Sequence, residues 1–570
     1  MNLFLLDAIG PFFRGLKPGC INWSKIPFAL LPCPTKAESR FWRELEDDFR
    51  KFATKARDLG YTAITLDDLA HLTPHPWHDE ATNHLIEAYL VHFRKLFAIA
   101  QELELEIWIT ADVLSLSKTA EERVGKDHET RSAFFNDLVN HFLQSHPEIA
   151  GLILRIGESD GLDVVDSLRS HLHLRTPEQV NHFLQNLIPI FEKHQRLLIL
   201  RTWTVGAHRI GDLIWHRGRL SHALEGIKSD FFIVSMKPGE SDFFRHIPLN
   251  QAFFRYSGKM LLELQARREY EGAGEFPSWL GPDCEQLHRD LSNVGSLVGI
   301  SVWCQTGGWH RFRRLTFLDE DALWSELNTR VVIDIFRYNR SSRESLELAV
   351  GTEKADAAQD LLDSTRDVIL NTYYLPAFAN QKLFFRRVRI PPLLHIYWDS
   401  LYIHAPIRRI LRHFVDEPRA ALQQTEEATS QFPRLIELAH ELDWQPKDIE
   451  FMRDTCELIT LAYCYYFSPR SQNLEDSIRE AKKKYKKSYP NSLRARYRIK
   501  LDFSPPPLTA RHLSLGSQLL LRRKRGYRLF DHLVTLRLLS FLYRLFKNHS
   551  QRTIPDSMRN SAMGIDSIFE

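Results

Sequence analysis

Three apolar runs in this chain end in charge. Residues 231–236 lead into Lys237-Pro238-Gly239-Glu240-Ser241-Asp242, residues 260–264 carry Glu263 and are followed by Glu269, and residues 151–157 carry Arg155 and lead into Glu158. Carboxyl groups held at the ends of buried strands are the material of acid–base chemistry. Desolvation raises the pKa of one so that it can donate a proton, and a neighbouring cation keeps another charged so that it can accept one. Glu158 fits the donor, while Ser159 or Asp160 beside it can cap a following helix. Asp242 follows a Pro-Gly turn suited to ligand contact; paired with Lys237 at a surface it would contribute little. Glu240 serves as its support. Glu263 lies within a strand, where an unpaired carboxylate is costly, so an ion pair with Arg155 or Arg201 is an equally good reading for it and for Glu269.

Arg155, Arg201 and Lys237 all stand at strand ends. Fixed cations there suit an anionic ligand, because guanidinium matches carboxylate or phosphate bidentately. Trp203, Trp303 and Trp309 offer flat apolar faces on which sugar rings can lie, or they simply pack. Asp67, Asp68 and Asp112 also end strand-like runs. His71, His75 and His78 fall in a Pro-rich loop rather than on one helix face, which favours a substrate-contacting or solvated loop over a metal site. The basic runs 482–487 and 522–525 read as a solvated face or a subunit contact rather than a nucleic-acid surface.

The elements that must position these residues are strands alternating with helices. Strand-like runs are short and continuously apolar: 61–66, 106–111, 151–157, 196–200, 231–236, 260–262 and 298–303, with 28–31 or 20–23 as the first. Continuous rather than alternating apolarity marks parallel strands covered on both faces. Helical patterns at 38–59, 82–105, 131–145 and 176–194 lie between them. Eight such units predict a (β/α)8 TIM barrel over residues 1–335, and no glycine-rich phosphate loop follows the first strand to support a doubly wound sheet. Beyond it the strand signals stop. Helical patterns at 355–372, 393–415, 420–442, 446–467, 471–487 and 522–547 predict an all-helical C-terminal domain over 336–550, with 551–570 as a flexible tail.

Composition narrows the class. With 75 basic and 72 acidic residues the net charge is +3, which gives no whole-chain argument for nucleic acid or membrane binding. The six cysteines show no CxxC pairing, so reduced thiols and a cytoplasmic location are expected. The first residues lack a basic region and their apolar run is cut by Asp7, unlike a signal peptide.

The charged blocks resemble those of the α-glucuronidases of glycoside hydrolase family 67. Ile233-Val234-Ser235-Met236-Lys237-Pro238-Gly239-Glu240-Ser241-Asp242-Phe243 resembles the family's IVQIKNGPIDF segment. Residues 262–272, with Arg268-Glu269-Tyr270-Glu271-Gly272, resemble its EFQITQEYLG. Leu200-Arg201-Thr202-Trp203 is similar to the preceding strand end, and 60–68 to the GINGTVLNNVN strand, with Asp67-Asp68 in place of two asparagines. The resemblance covers about residues 55–340 by motif and the helical region by architecture, without the family's N-terminal domain. It implies an inverting glycosidase removing a terminal α-linked uronic or related sugar from an oligosaccharide, as in polysaccharide degradation. Glu158 would be the acid, Asp242 and Glu269 the water-activating carboxylates, and Arg201 and Lys237 the contacts to the uronate. Arg155, Asp67, Asp68, Trp203, Glu240, Glu263 and Trp303 would complete the substrate site. No cofactor or metal is implied; the partner is an acidic oligosaccharide, and a homodimer through the helical domain is expected. The reading from another class is a non-catalytic barrel that binds carbohydrate or serves as a scaffold. A phosphatase or lyase on the same barrel is a third, marked by metal dependence or an unsaturated product.

Overall fold

The computed structural model describes residues 1–16, 25–35, 40–157, 165–203, 213, 218–305, 314–385, 388–397, 400–490 and 497–504, with short stretches between 515 and 545. Glu158, Ser159, Asp160, Trp309, the alternative first strand at 20–23, the tail 551–570 and most of the helix expected at 522–547 lie outside the described residues.

Eight parallel strands close into a barrel: β1 (Leu3–Asp7), β2 (Ala63–Leu66), β3 (Glu106–Asp112), β4 (Ile149–Arg155), β5 (Leu197–Arg201), β6 (Phe232–Met236), β7 (Met260–Gln265) and β8 (Leu297–Trp303). Sequential strands are neighbours, and β8 returns to β1 with Leu3 opposite Gly299 and Leu6 opposite Val302. The (β/α)8 barrel expected from the sequence is therefore the fold. Its first strand is Leu3–Asp7, which corrects the expectation of 28–31. Phe28–Leu30 is a single 3-10 turn between Pro27 and Pro32, and proline has no N–H to give a ladder.

Period-two alternation decides what faces the axis. Leu3, Leu5, Ala63, Trp108, Ile153, Ile199, Ile233 and Leu261 fill the interior. Their intervening neighbours, such as Leu6, Ile64, Ile109, Leu154, Leu200 and Val234, belong to the larger core beneath the helices. Gly151 is required here, because a Cβ would stand 2.2 Å from the Leu197 carbonyl oxygen and 2.6 Å from the Trp108 ring. Continuing the inward register toward the strand ends leads from Leu5 to Asp7, from Ile153 to Arg155, from Ile199 to Arg201, and from Leu261 to Glu263. The same periodicity that buries the apolar layer thus delivers a ring of charge to the barrel mouth.

Helices Arg40–Leu59, Glu80–Glu102, His128–Ser145 and Pro177–His194 pack outside the first strands. Their starts are fixed locally: Asp79 accepts from the Thr82 amide, and Thr176 with Gln179 forms a capping box. Leu323–Tyr338 spans the expected domain limit at residue 335 and returns to the barrel, where Tyr61 Oη donates to the Thr329 carbonyl at 2.8 Å.

Beyond it helices dominate, including Ala355–Val368, Pro446–Phe467 and Gln472–Ser488. The expectation of an all-helical region is corrected by two small three-stranded sheets. One joins Phe384–Phe385, Val388–Arg389 and Leu521–Arg522; the other joins Ile396–Tyr397, Ser400–His404 and Arg498–Asp502. The segment 393–415 is thus strand, then helix only from Ala405, where Pro406 stands at the helix start. Leu401-Tyr402-Ile403 favours a pleated strand over a helix interior. The helix expected over 420–442 is two helices, Pro418–Thr429 and Phe432–Glu441, divided before Pro433. Among the described residues no helix is long and apolar enough to cross a membrane.

Candidate active site

The C-terminal ends of β5, β6 and β7 bring together most of the expected residues. Arg201 ends β5 and grips Glu263 of β7 with two hydrogen bonds, Nη2 to Oε1 at 2.8 Å and Nε to Oε2 at 3.1 Å. Ser235 of β6 donates to Glu263 Oε2 at 3.2 Å. Burial alone would push the Glu263 carboxyl up, but Arg201, Lys237 and the Ser235 hydroxyl outweigh it and hold the group below the usual carboxylate range. The Arg201 guanidinium lies over Trp303 at 4.6 Å from the ring centre. Of the two sequence readings for Glu263, the buried pair with Arg201 is the arrangement found.

Lys237, immediately after β6, reaches Asp242 Oδ1 at 2.5 Å and rests over the Trp203 ring at 3.8 Å and the Phe243 ring at 4.3 Å. Asp242 has two further donors: the Phe243 amide at 2.9 Å, and Tyr270 Oη, which donates to Oδ2 at 2.6 Å. The adjacent Glu269 is half-buried and tied to Gln265, whose amide nitrogen donates to Glu269 Oε1 at 2.9 Å while its oxygen accepts from the Glu269 amide at 3.2 Å. The β6 and β7 loops therefore interlock: Asp242 from one is held by the residue that follows Glu269 in the other. Glu240 faces another space. It lines a groove of about 1170 Å3 on the outer flank, with Glu192, Asn250 and Arg255 among its walls.

The opposite side of the mouth closes on itself. Arg155 of β4 donates to Asp112 of β3 at 2.8 Å and lies 3.3 Å from Asp67, and Lys25 reaches Asp112 at 2.5 Å. Asp67 also accepts from the Ile26 amide at 2.7 Å and from the Thr110 hydroxyl. Asp68 binds His71 Nδ1 at 3.2 Å, and His71 Nε2 meets Asp166 at 3.3 Å. Burial opposes charge on His71, but Asp166 and Asp68 prevail and raise its pKa to about 10. His71 also stacks on Phe28, with ring centres 3.9 Å apart. His75 turns instead to Asp137, and His78 to Ser117, so the three loop histidines have three different partners.

Three participants went unread in the sequence. Asp7, at the end of β1, accepts from the Cys304 and Gln305 amides beyond β8, and burial raises its pKa to about 7 against those bonds. Its signal was present: it ends an apolar run, as Glu158 follows another. Tyr270 and Asp166 carry no such mark, because their partners lie 28 and 95 residues away.

Beneath the mouth the barrel is filled. A cavity of about 10 Å3 among Arg201, Ser235, Glu263 and Trp303 holds one water at most. Among the buried polar atoms with no hydrogen-bond partner among the described residues are Asp68 Oδ1 and Trp303 Nε1, one acceptor and one donor at strand ends. Buried groups of this kind cost about 1–3 kcal/mol each until something satisfies them.

The fold and this mouth define a (β/α)8 barrel with a charged, aromatic-lined carboxyl end. No family model and no curated protein matches the chain. Among solved structures, CpGH84B aligns at 12% identity over 84% of this chain and 70% of that one, with a TM-score of 0.39. The D-allulose 3-epimerase from Methylomonas sp. aligns at 12% identity, TM-score 0.33, over 60% of this chain and 98% of that one. The beta-mannanase of the blue mussel Mytilus edulis gives 11%, 0.32, 60% and 94%. Likenesses this distant accompany the barrel and carry nothing about its reaction.

Proposed function

We propose that the protein is an inverting glycoside hydrolase that removes a terminal α-linked uronic or related sugar from an oligosaccharide. The observation that carries this reading is the Asp242 carboxyl at the β6 end, gripped by Lys237, the Phe243 amide and Tyr270, with Glu269 on the adjoining loop. The family 67 resemblance of the same two segments supports it, as do the tryptophans beside Lys237 and Arg201.

In this mechanism Asp242 and Glu269 take a proton from a water as its oxygen bonds to the anomeric carbon. The bond from that carbon to the leaving oxygen breaks, and Glu158 supplies the proton that the leaving oxygen gains. Inversion requires the acid and base carboxyls to stand roughly 6.5–9.5 Å apart, with room for the water. The Arg201 Nε and Nη2 donors are engaged by Glu263, so Arg201 acts by its charge and by fixing that carboxylate. Direct contact with the uronate falls to Lys237, whose ammonium carries three donors. Asp68 Oδ1 and Trp303 Nε1 are suited to accept from and donate to sugar hydroxyls. A cytoplasmic location and a homodimer through the helical region belong to the same proposal.

The test is a panel of aryl glycosides and oligosaccharides with wild type, Glu158→Gln and Asp242→Asn. Turnover by the wild type, its loss in both variants and retained ligand binding support the hydrolase. Binding without turnover in the wild type supports the carbohydrate-binding barrel instead.

A further inference from the structure

The loops bearing Asp242 and Glu269 are joined a second time, behind the mouth, by a buried ionic cluster. Arg245, three residues after Asp242, grips Glu271, two residues after Glu269, with Nε to Oε1 at 3.0 Å and Nη2 to Oε2 at 3.1 Å. Arg268 of the β7 loop donates to the same Oε1 at 3.0 Å and to the Phe243 carbonyl of the β6 loop at 2.7 Å. Tyr374, from the helical region, donates to Glu271 Oε1 at 3.0 Å and accepts from the Arg245 amide at 3.2 Å. Asp283 takes a further bond from Arg245 at 2.6 Å and is held by Arg366. Glu271 is completely buried, and although burial opposes its charge, Arg245 and Arg268 keep its pKa well below the usual carboxylate range.

Stability alone is a weak reason for such a cluster, since burying charges costs roughly what their attraction returns. What the cluster does supply is registry. Each loop is bonded to the other through side chain and main chain, and the hydroxyl of Tyr374 touches both. We infer that Arg245, Arg268, Glu271 and Tyr374 are positioning residues that fix Asp242 and Glu269 relative to one another, which makes the helical region part of the active site. The inference rests on the reading of those two carboxylates as the water-activating pair.

A second tie between barrel and helical region provides the control. Ser345 of Ser342–Val350 donates to Asp334 of Leu323–Tyr338 at 2.7 Å, and Arg340 holds the other oxygen of Asp334 at 2.7 Å; neither binds a residue of 237–246 or 266–275. The experiment compares full-length Tyr374→Phe, Glu271→Gln and Ser345→Ala by hydrogen–deuterium exchange and by kinetics. In Tyr374→Phe, amides in 237–246 and 266–275 exchange faster together, by about tenfold. Its kcat falls by about tenfold with KM held, as expected for catalytic groups displaced by a fraction of an ångström. Glu271→Gln, where it folds, gives the same pattern more strongly, and Ser345→Ala leaves both loops and kcat unchanged. Exchange that is unaltered in Tyr374→Phe, or raised in one loop only, overturns the latch. Loosened loops with unchanged kcat overturn the positioning role. A wild type that turns over no glycoside contradicts the hydrolase reading, while the exchange data still decide the latch.

Discussion

The two halves of the barrel mouth use similar residues in different ways. Around β2, β3 and β4 each carboxylate has a charged partner: Arg155 lies between Asp112 and Asp67, Lys25 on Asp112, and His71 between Asp68 and Asp166. Around β5, β6 and β7 one carboxylate, Glu263, is locked to Arg201, while Asp242 and Glu269 are held by mixed partners, a lysine stacked on tryptophan, a tyrosine hydroxyl, a main-chain amide and a glutamine. A closed set of ion pairs makes a stiff wall, because removing any member strands a buried charge. A carboxylate that shares neutral donors can exchange them for a water or a sugar hydroxyl at less cost. On the proposed mechanism the first half is the framework and the second the working side.

Substitutions on the two sides should then fail differently. The largest effect belongs to Asp242→Asn, for which kcat should fall by about 10²–10⁴-fold at saturating glycoside, with a smaller loss of stability than Asp112→Asn causes. Asp112→Asn should do the opposite. It weakens the hold on Arg155 and Lys25 together, and urea denaturation should register a loss of about 3–5 kcal/mol. A stability loss from Asp242→Asn as large as that from Asp112→Asn would erase the comparison.

His71 sharpens it through pH. Its folded pKa of about 10 lies above the 6.5 of the unfolded chain, so the stability it contributes is fully present below pH 6.5 and is lost as pH rises toward about 10. The melting temperature of the wild type minus that of His71→Asn should therefore shrink over this window, and a constant difference would show that the imidazolium bridge is absent. The smallest effect is expected from Trp203→Leu, which removes the face under Lys237. A change of about 0.5–2 kcal/mol should appear in KM rather than kcat.

Much of this arrangement was legible in the sequence. Seven strands announced themselves as short apolar runs, and β1 was hidden only because Leu3-Phe4-Leu5-Leu6 is equally an N-terminal apolar stretch. The charged strand ends were legible for the same reason, since period two carries a buried run's inward face to its final residue. The choice of partner was not. The sequence left Glu263 between Arg155 and Arg201, and only the closed barrel, which brings Arg201 to it across 62 residues and Tyr270 to Asp242 across 28, decides. The short strands around Tyr402 were obscured because two to five residues hold too little pattern to outweigh adjoining helical sequence. For Glu271, nothing in the neighbouring sequence foretold two arginines and a tyrosine from separate elements.

The central claim is that water attacks from the side of Asp242 and Glu269 while Glu158 protonates the leaving oxygen. Proton NMR of the first-formed sugar, released from an α-linked uronic disaccharide, tests it most directly. The β-anomer should appear first and the α-anomer only later by mutarotation. Release of the α-anomer first would contradict the inverting assignment.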